Sequence, residues 1–234
     1  MDITIDINIS ENIKRVRGLI SEAAIASGRA PSDVTLVAAS KTKPVEMIKE
    51  AIASGVDAIG ENRVREMMEK NARAAYQGAP LHFIGHLQSN KAAKVVGVCD
   101  LIESVGSEAL MRLIGKTAVS IGVRQDILIE VNIGAEPQKT GVPPDRVADI
   151  LDLASQTEGI NVLGLMAIPP ISEKNEKNCN YFDAIYQLFV DMHKKKYDNV
   201  SMNFLSMGMS DSYAEAIRSG SNMVRVGSAI FGAR

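Results

Sequence analysis

Two sets of residues in this sequence stand where they could do chemistry. The first is Lys41, in Ser40-Lys41-Thr42-Lys43-Pro44. The apolar, β-branched run Val34 to Ala39 precedes it, and Pro44 opens an amphipathic helical pattern through Val45, Ile48, Ala51 and Ile52. A lysine where a buried strand ends and a helix has yet to start is partly desolvated, so its pKa can fall. Its amine could then form an imine with an aldehyde; a solvated loop lysine is the competing reading. The second set is Ser206-Met207-Gly208-Met209-Ser210-Asp211 and Gly227-Ser228, each following an apolar run and opening a helical pattern. Small residues there leave backbone N–H groups free at a helix start, where an anion such as phosphate is favoured. Alternatively, Ser210 and Ser228 are plain N-caps.

Arg225 lies between Met223, Val224 and Val226, inside an apolar strand. Facing inward it needs a partner, because unpaired burial is expensive. Glu103 and Glu130 are structural options, and a ligand's ring or phosphate is the functional one. An acidic residue at a ring nitrogen would hold it protonated as an electron sink, whereas arginine can only donate to an unprotonated nitrogen. His82 and His86 read as packed, hydrogen-bonded residues rather than general bases. Glu136 and Lys139 read as surface or lid residues, and Met166, Met207 and Met209 as adaptable packing near the cleft.

The elements that must position these residues repeat. Candidate strands fall at 34–39, 57–60, 81–84, 100–103, 126–132, 160–166, 202–206 and 222–226. Candidate helices fall at 44–54, 62–75, 89–97, 107–120, 143–157, 174–196 and 211–219, with a short turn after 227. An additional helix over 10–28 is expected to start at Ser10 as N-cap and to close at Gly28 and Pro31. Eight βα units imply a parallel sheet closed into an α/β (β/α)₈ TIM barrel behind an N-terminal helix. A doubly wound sheet would need a Gly-rich fingerprint after its first strand, which is missing. Residues 1–234 read as a single domain, with Pro169 to Asn180 as a long, mobile loop. In such a barrel the site collects at the C-terminal ends of the strands, and polar residues with glycine cluster at nearly every one: Lys41, Gly60 to Arg63, Gly85 to Gln88, Glu103-Ser104, Asn132 to Gly134, Met166 to Pro169, Ser206 to Ser210 and Arg225 to Ser228.

Composition removes several function classes. Among 234 residues, 26 basic and 28 acidic side chains leave a net charge of −2, so no global field favours nucleic acid or an anionic membrane. Tryptophan is absent, which argues against stacking platforms for single strands. No apolar run approaches the roughly 20 residues that span a bilayer. Cys99 and Cys179 are far apart with no metal-ligand spacing, and with no signal peptide visible they read as reduced thiols in a cytoplasmic protein. No long exposed apolar stripe stands out, so a monomer is expected.

The motifs Ser40-Lys41-Thr42-Lys43-Pro44, Gly60-Glu61-Asn62, His82 through Lys91, Glu130-Val131-Asn132-Ile133-Gly134, Gly164-Leu165-Met166, Leu205 through Ser210 and Val224-Arg225-Val226-Gly227 occur in order at the barrel ends. From about Lys14 onward the chain resembles the pyridoxal phosphate homeostasis protein family, which is similar to the N-terminal barrel of alanine racemase. The resemblance implies that Lys41 holds pyridoxal 5′-phosphate as an internal aldimine. It further implies that Ser210, Gly227 and Ser228 hold the phosphate, that Arg225 lies by the ring nitrogen or the phosphate, and that Asn62 is near the cofactor's other edge. Ser228 stands where many members carry threonine, keeping the hydroxyl.

The role implied is intracellular pyridoxal phosphate homeostasis without robust catalysis, with possible delivery to apo-enzymes. The alternative is a weakly active amino-acid racemase. Racemisation at Cα wants acid and base groups on both faces. In alanine racemase the second base, a tyrosine, comes from a further domain of the partner subunit. The sequence ends at Arg234 shortly past the eighth strand, so such a domain is not expected, and Tyr213 is the nearest tyrosine to a barrel end. A cofactor-free lysine aldolase would not need the phosphate cradle together with Arg225.

Overall fold

The computed structural model describes residues 8–136, 140–170 and 175–232. Eight parallel strands close on themselves in sequence order: β1 (Thr35–Ala39), β2 (Ala58–Glu61), β3 (Leu81–Phe83), β4 (Leu101–Val105), β5 (Gln125–Val131), β6 (Ile160–Ala167), β7 (Val200–Ser206) and β8 (Met223–Val226). The last strand pairs with the first, Val37 opposite Arg225. The expected barrel is therefore present, and the open sheet is excluded.

Strand alternation divides the apolar residues into two cores. Val37, Ala58, Leu101, Leu128, Met166 and Met223 fill the cylinder. Their neighbours, such as Leu36, Ile59, Phe83, Ile102, Ile129, Leu205 and Val224, point outward into a continuous mantle beneath the helices. Above the inner plug the same inward register carries polar side chains, namely His82, Glu103, Glu130, Ser206 and Arg225, all buried. This change of inner layer from apolar to polar is what makes one end of the barrel a site.

The first helix, α1 (Ile9–Ala26), lies against the two helices that follow β7 and β8, α7 (Tyr213–Arg218) and α8 (Ser228–Phe231). Its N-cap is Asn8, whose side chain accepts from the Glu11 N–H, and not Ser10 as the sequence pattern suggested. Starting there brings Ile9 onto the stripe of Ile13, Val16 and Ile20, all buried. Each such aliphatic side chain contributes about 1.5–3 kcal/mol when fully buried.

The other helices are α2 (Val45–Ala53), α3 (Val64–Asn71), α4 (Glu108–Ser120), α5 (Val147–Ser155) and α6 (Asn175–His193). The helix expected over 89–97 is instead a 3₁₀ stretch, Ser89–Lys94, held by bonds such as Lys91 N–H to Gln88 O at 2.9 Å. Only Ala92 of that stretch is buried, too little apolar face to sustain an α-helix. The loop expected over 169–180 is shorter, because α6 already begins at Asn175. Its polar first turns carry no apolar period, and the anchoring side chains, Phe182 and Ile185, come later. Residues 171–174 of that loop and Lys139 lie outside the described residues.

Candidate functional site

Lys41, Asn62, Ser210, Arg225, Gly227 and Ser228 all line one cavity of about 370 Å³ at the C-terminal end of the strands. That volume is in the range of small-molecule sites. Register explains the convergence. Inward positions on β1 continue Val37, Ala39, Lys41; Ala39 pairs with Gly60, so Asn62 continues β2 beside Lys41. Arg225 and Gly227 are consecutive inward positions at the end of β8. Ile84, Ile168 and Met209 supply apolar wall, and Ile168 and Met209 are exposed at the rim.

The Lys41 segment is held on both sides of the lysine. The Ser40 N–H donates to Gly60 O at 2.9 Å, and the Ser40 hydroxyl donates to Glu61 Oε1 at 2.6 Å. Thr42 has φ 65°, left-handed backbone that a β-branched residue rarely adopts, and its N–H donates to the Glu66 carboxylate. Such a conformation costs on the order of 1–3 kcal/mol and persists only where surrounding contacts determine it. The Lys43 ammonium donates to the Phe231 and Gly232 carbonyls at 3.0 and 3.3 Å, tying the segment to the end of α8.

Arg225 is 4% exposed. Its guanidinium donates to Ser206 Oγ and, through Nη2, to Ala167 O at 3.0 Å, and Nη1 lies 3.6 Å from Glu103 Oε2. Of the two acidic partners expected for it, Glu103 is the one in contact. Glu103 also accepts from Ser206 Oγ at 2.6 Å and lies 2.8 Å from His82 Nδ1. Burial alone would push the Glu103 carboxyl up, but His82, Arg225 and Ser206 together hold it below the ordinary range. Burial pushes the Arg225 guanidinium down, against the pull of Glu103 and Glu130. Glu130 accepts from Thr140 Oγ1 at 3.0 Å, and burial raises its carboxyl.

Neither serine caps its own helix. Ser210 Oγ accepts from the Gly227 and Ala229 N–H groups at 3.1 and 3.4 Å, so it covers the start of α8 from the neighbouring loop. Ser228 is the first residue of α8, after Gly227. Gly208, at φ 95°, makes the turn that lets its carbonyl accept from the Arg225 N–H at 3.1 Å. Just past the end of β3, Gly85 packs so closely on the backbone of Asn62 that a Cβ there would stand 2.3 Å from Asn62 O. The Asn62 Oδ1 acceptor is buried without a hydrogen-bond partner. One wall thus offers an amine, another a guanidinium, a third the Ser210 and Ser228 hydroxyls, and beside the amine stands an unsatisfied acceptor. That donor set suits an anionic, phosphorylated aldehyde carrying a ring nitrogen.

Other expected residues fall elsewhere. His82 is buried against Glu103, and His86 is exposed beside a separate cavity with Ser104, Ser107 and Glu130. Met166 belongs to the inner plug and Met207 to the mantle, so only Met209 of the methionine set reaches the cleft. Tyr213 is packed in the mantle. Among the described residues no three His, Cys, Asp or Glu side chains gather as a metal site.

Sequence reasoning missed Lys70 and Tyr76, which meet Glu61 behind the Lys41 segment. The available signal was Lys70 three residues after Met67 and six after Val64, on the buried stripe of α3.

Comparison with known proteins agrees with this architecture. Residues 8–234 match the family described as alanine racemase, N-terminal domain. The pyridoxal phosphate homeostasis protein of Aquifex aeolicus is 37% identical over 227 residues, 97% of this chain and 99% of that one. The structure of PipY from Synechococcus elongatus, solved with pyridoxal phosphate bound, superposes with a TM-score of 0.84 at 30% identity, covering 96% of this chain and 100% of PipY. An alanine racemase of Clostridium difficile shares the fold alone, with a TM-score of 0.74 at 16% identity over 97% of this chain and 57% of the racemase.

Proposed function

The chain belongs to the pyridoxal phosphate homeostasis protein family, built on the alanine racemase N-terminal barrel, and from that premise we propose that it holds pyridoxal 5′-phosphate in the cavity at the C-terminal end of its strands. The observation that carries this reading is the convergence of Lys41, Asn62, Ser210, Arg225, Gly227 and Ser228 on that one cavity. The cofactor supplies an aldehyde and, when bound to an amine, an electron-withdrawing ring. Lys41 would hold the cofactor through its ε-amine, a nucleophile suited to the aldehyde that the cofactor would supply. The Ser210 and Ser228 hydroxyls are the donors for the phosphate, and Ser210 Oγ is itself held in place by the Gly227 and Ala229 N–H groups. Arg225, one inward step deeper than Gly227, is assigned the ring nitrogen. As a permanent cation it donates a hydrogen bond there without giving up a proton.

Holding the cofactor, rather than turning over an amino acid, is the task these groups favour. The ionisable side chains among the described cavity-lining residues are Lys41, Lys43, Asp211 and Arg225, with no tyrosine or histidine. Racemisation needs an acid and a base on opposite faces of the bound substrate, and Lys41 serves one face. We therefore assign the protein to vitamin B6 homeostasis as a single-domain cytoplasmic monomer that limits free aldehyde and passes cofactor to apo-enzymes. No described helix is long and apolar enough to cross a membrane.

The test adds pyridoxal phosphate to the purified protein, records the visible spectrum, then adds L-alanine and analyses its chirality. A shifted absorption band with L-alanine left unchanged supports the carrier. Formation of D-alanine would move the assignment to the racemase.

A further inference from the structure

A buried charge cluster lies behind the Lys41 segment without lining the cavity. Alternation on β2 turns Gly60 and Asn62 inward and Glu61 outward toward α3, where Lys70 meets it. Glu61 is fully buried and Lys70 is 7% exposed. The Lys70 ammonium directs its donors at Glu61 Oε1 (2.7 Å), Glu66 Oε1 (2.7 Å) and the Ser40 carbonyl (2.9 Å). Glu61 Oε1 also accepts from the Ser40 hydroxyl at 2.6 Å and the Tyr76 hydroxyl at 3.2 Å. Glu66 in turn accepts the Thr42 N–H. One ammonium therefore reaches both flanks of Lys41: residue 40 directly and residue 42 through Glu66.

A buried ion pair is a poor way to gain stability, since apolar residues of similar volume often stabilise as well or better. What the pair supplies here is direction. The Ser40 carbonyl and hydroxyl are gripped together, and the left-handed Thr42 is closed from the other side, so the backbone is held on both sides of Lys41. We propose that Glu61 and Lys70 are positioning residues, fixing the backbone of residues 40–42 so that Lys41 meets its ligand in a single orientation. The inference rests on the reading that Lys41 holds pyridoxal phosphate.

The test uses the double variant Glu61→Leu/Lys70→Met, which removes both charges while keeping the volume. As a second probe, Glu66→Gln weakens the Thr42 arm alone. Three quantities are measured on each: thermal midpoint, amide exchange of residues 41–43 in ligand-free protein, and the pyridoxal phosphate dissociation constant. The expected result is a double variant that melts with the wild type or above it. Its amides at 41–43 exchange at least about tenfold faster, and it binds at least about tenfold more weakly, roughly 1.4 kcal/mol. Should the double variant not fold, faster exchange at Thr42 and Lys43 in Glu66→Gln carries the same expectation.

A folded double variant with wild-type exchange and affinity would overturn the proposal, as would weaker binding with unchanged exchange. If the wild type takes no pyridoxal phosphate on Lys41, the assigned function fails. The exchange in ligand-free protein still decides whether the cluster positions the segment.

Discussion

Replacing Glu103 by glutamine should destabilise the barrel, by an amount that depends on pH. Glu103 is fully buried, accepts from Ser206 Oγ at 2.6 Å, and lies 2.8 Å from His82 Nδ1 and 3.6 Å from Arg225 Nη1. Its removal leaves the Arg225 guanidinium buried with its nearest counter-charge gone. Breaking a buried pair from one side costs about 3–5 kcal/mol, and glutamine, which keeps some of the hydrogen bonds, belongs at the lower end. For a chain of this length, about 3 kcal/mol corresponds to a fall in melting temperature on the order of 6–12 °C.

The sign of the pH dependence follows from the lowered Glu103 pKa, which burial opposes and its three partners produce. A carboxylate depressed in the folded state stabilises above its unfolded pKa, about 4.3, and loses that contribution as pH falls toward the folded value. The gap between wild type and Glu103→Gln should therefore be full at neutral pH and shrink in acid, because only the wild type has that contribution to lose. Thermal melts followed by circular dichroism across this range decide it. A variant that melts with the wild type at neutral pH, or a gap that widens in acid, would refute the reasoning.

Two substitutions probe the cavity itself. Ser210→Ala removes the oxygen that meets the Gly227 and Ala229 N–H groups. It should weaken pyridoxal phosphate by about tenfold or more, the worth of one charge-assisted hydrogen bond, and leave pyridoxal unaffected in a parallel titration. Gly85→Ala places a Cβ 2.3 Å from Asn62 O, which must move, so both melting temperature and pyridoxal phosphate affinity should fall. Gly18→Ala in α1, where a Cβ meets nothing within 4 Å, should instead raise stability by up to about 1 kcal/mol, which a denaturant titration would show.

How much could be read from the chain depended on how local the cause was. The barrel was legible because each strand is a short apolar run and each crossover a separate amphipathic stretch. Lys41, Arg225 and Gly227 were legible because inward positions at strand ends follow from period-two alternation, Ser210 and Ser228 because small polar residues follow the last two strands, and Asn62 only through the family resemblance. Where two caps competed, the pattern failed: Ser10 and Asn8 suit the role equally, and the burial of Ile9 decides for Asn8. Tertiary pairings were equally hidden. Nothing in sequence spacing distinguishes Glu103 from Glu130 as the partner of Arg225, since the choice rests on which strands face across the barrel. The Glu61–Lys70 contact lies within one β2–α3 unit, but its significance depends on Ser40 from the adjacent strand.

The most direct measurement is reduction of the pyridoxal phosphate-loaded protein with borohydride, followed by peptide mapping. A single phosphopyridoxyl group on Lys41, lost in a Lys41→Ala protein that melts like the wild type, is the expected result. No adduct, or one on another lysine, would contradict the assignment of Lys41 as the residue that holds the cofactor.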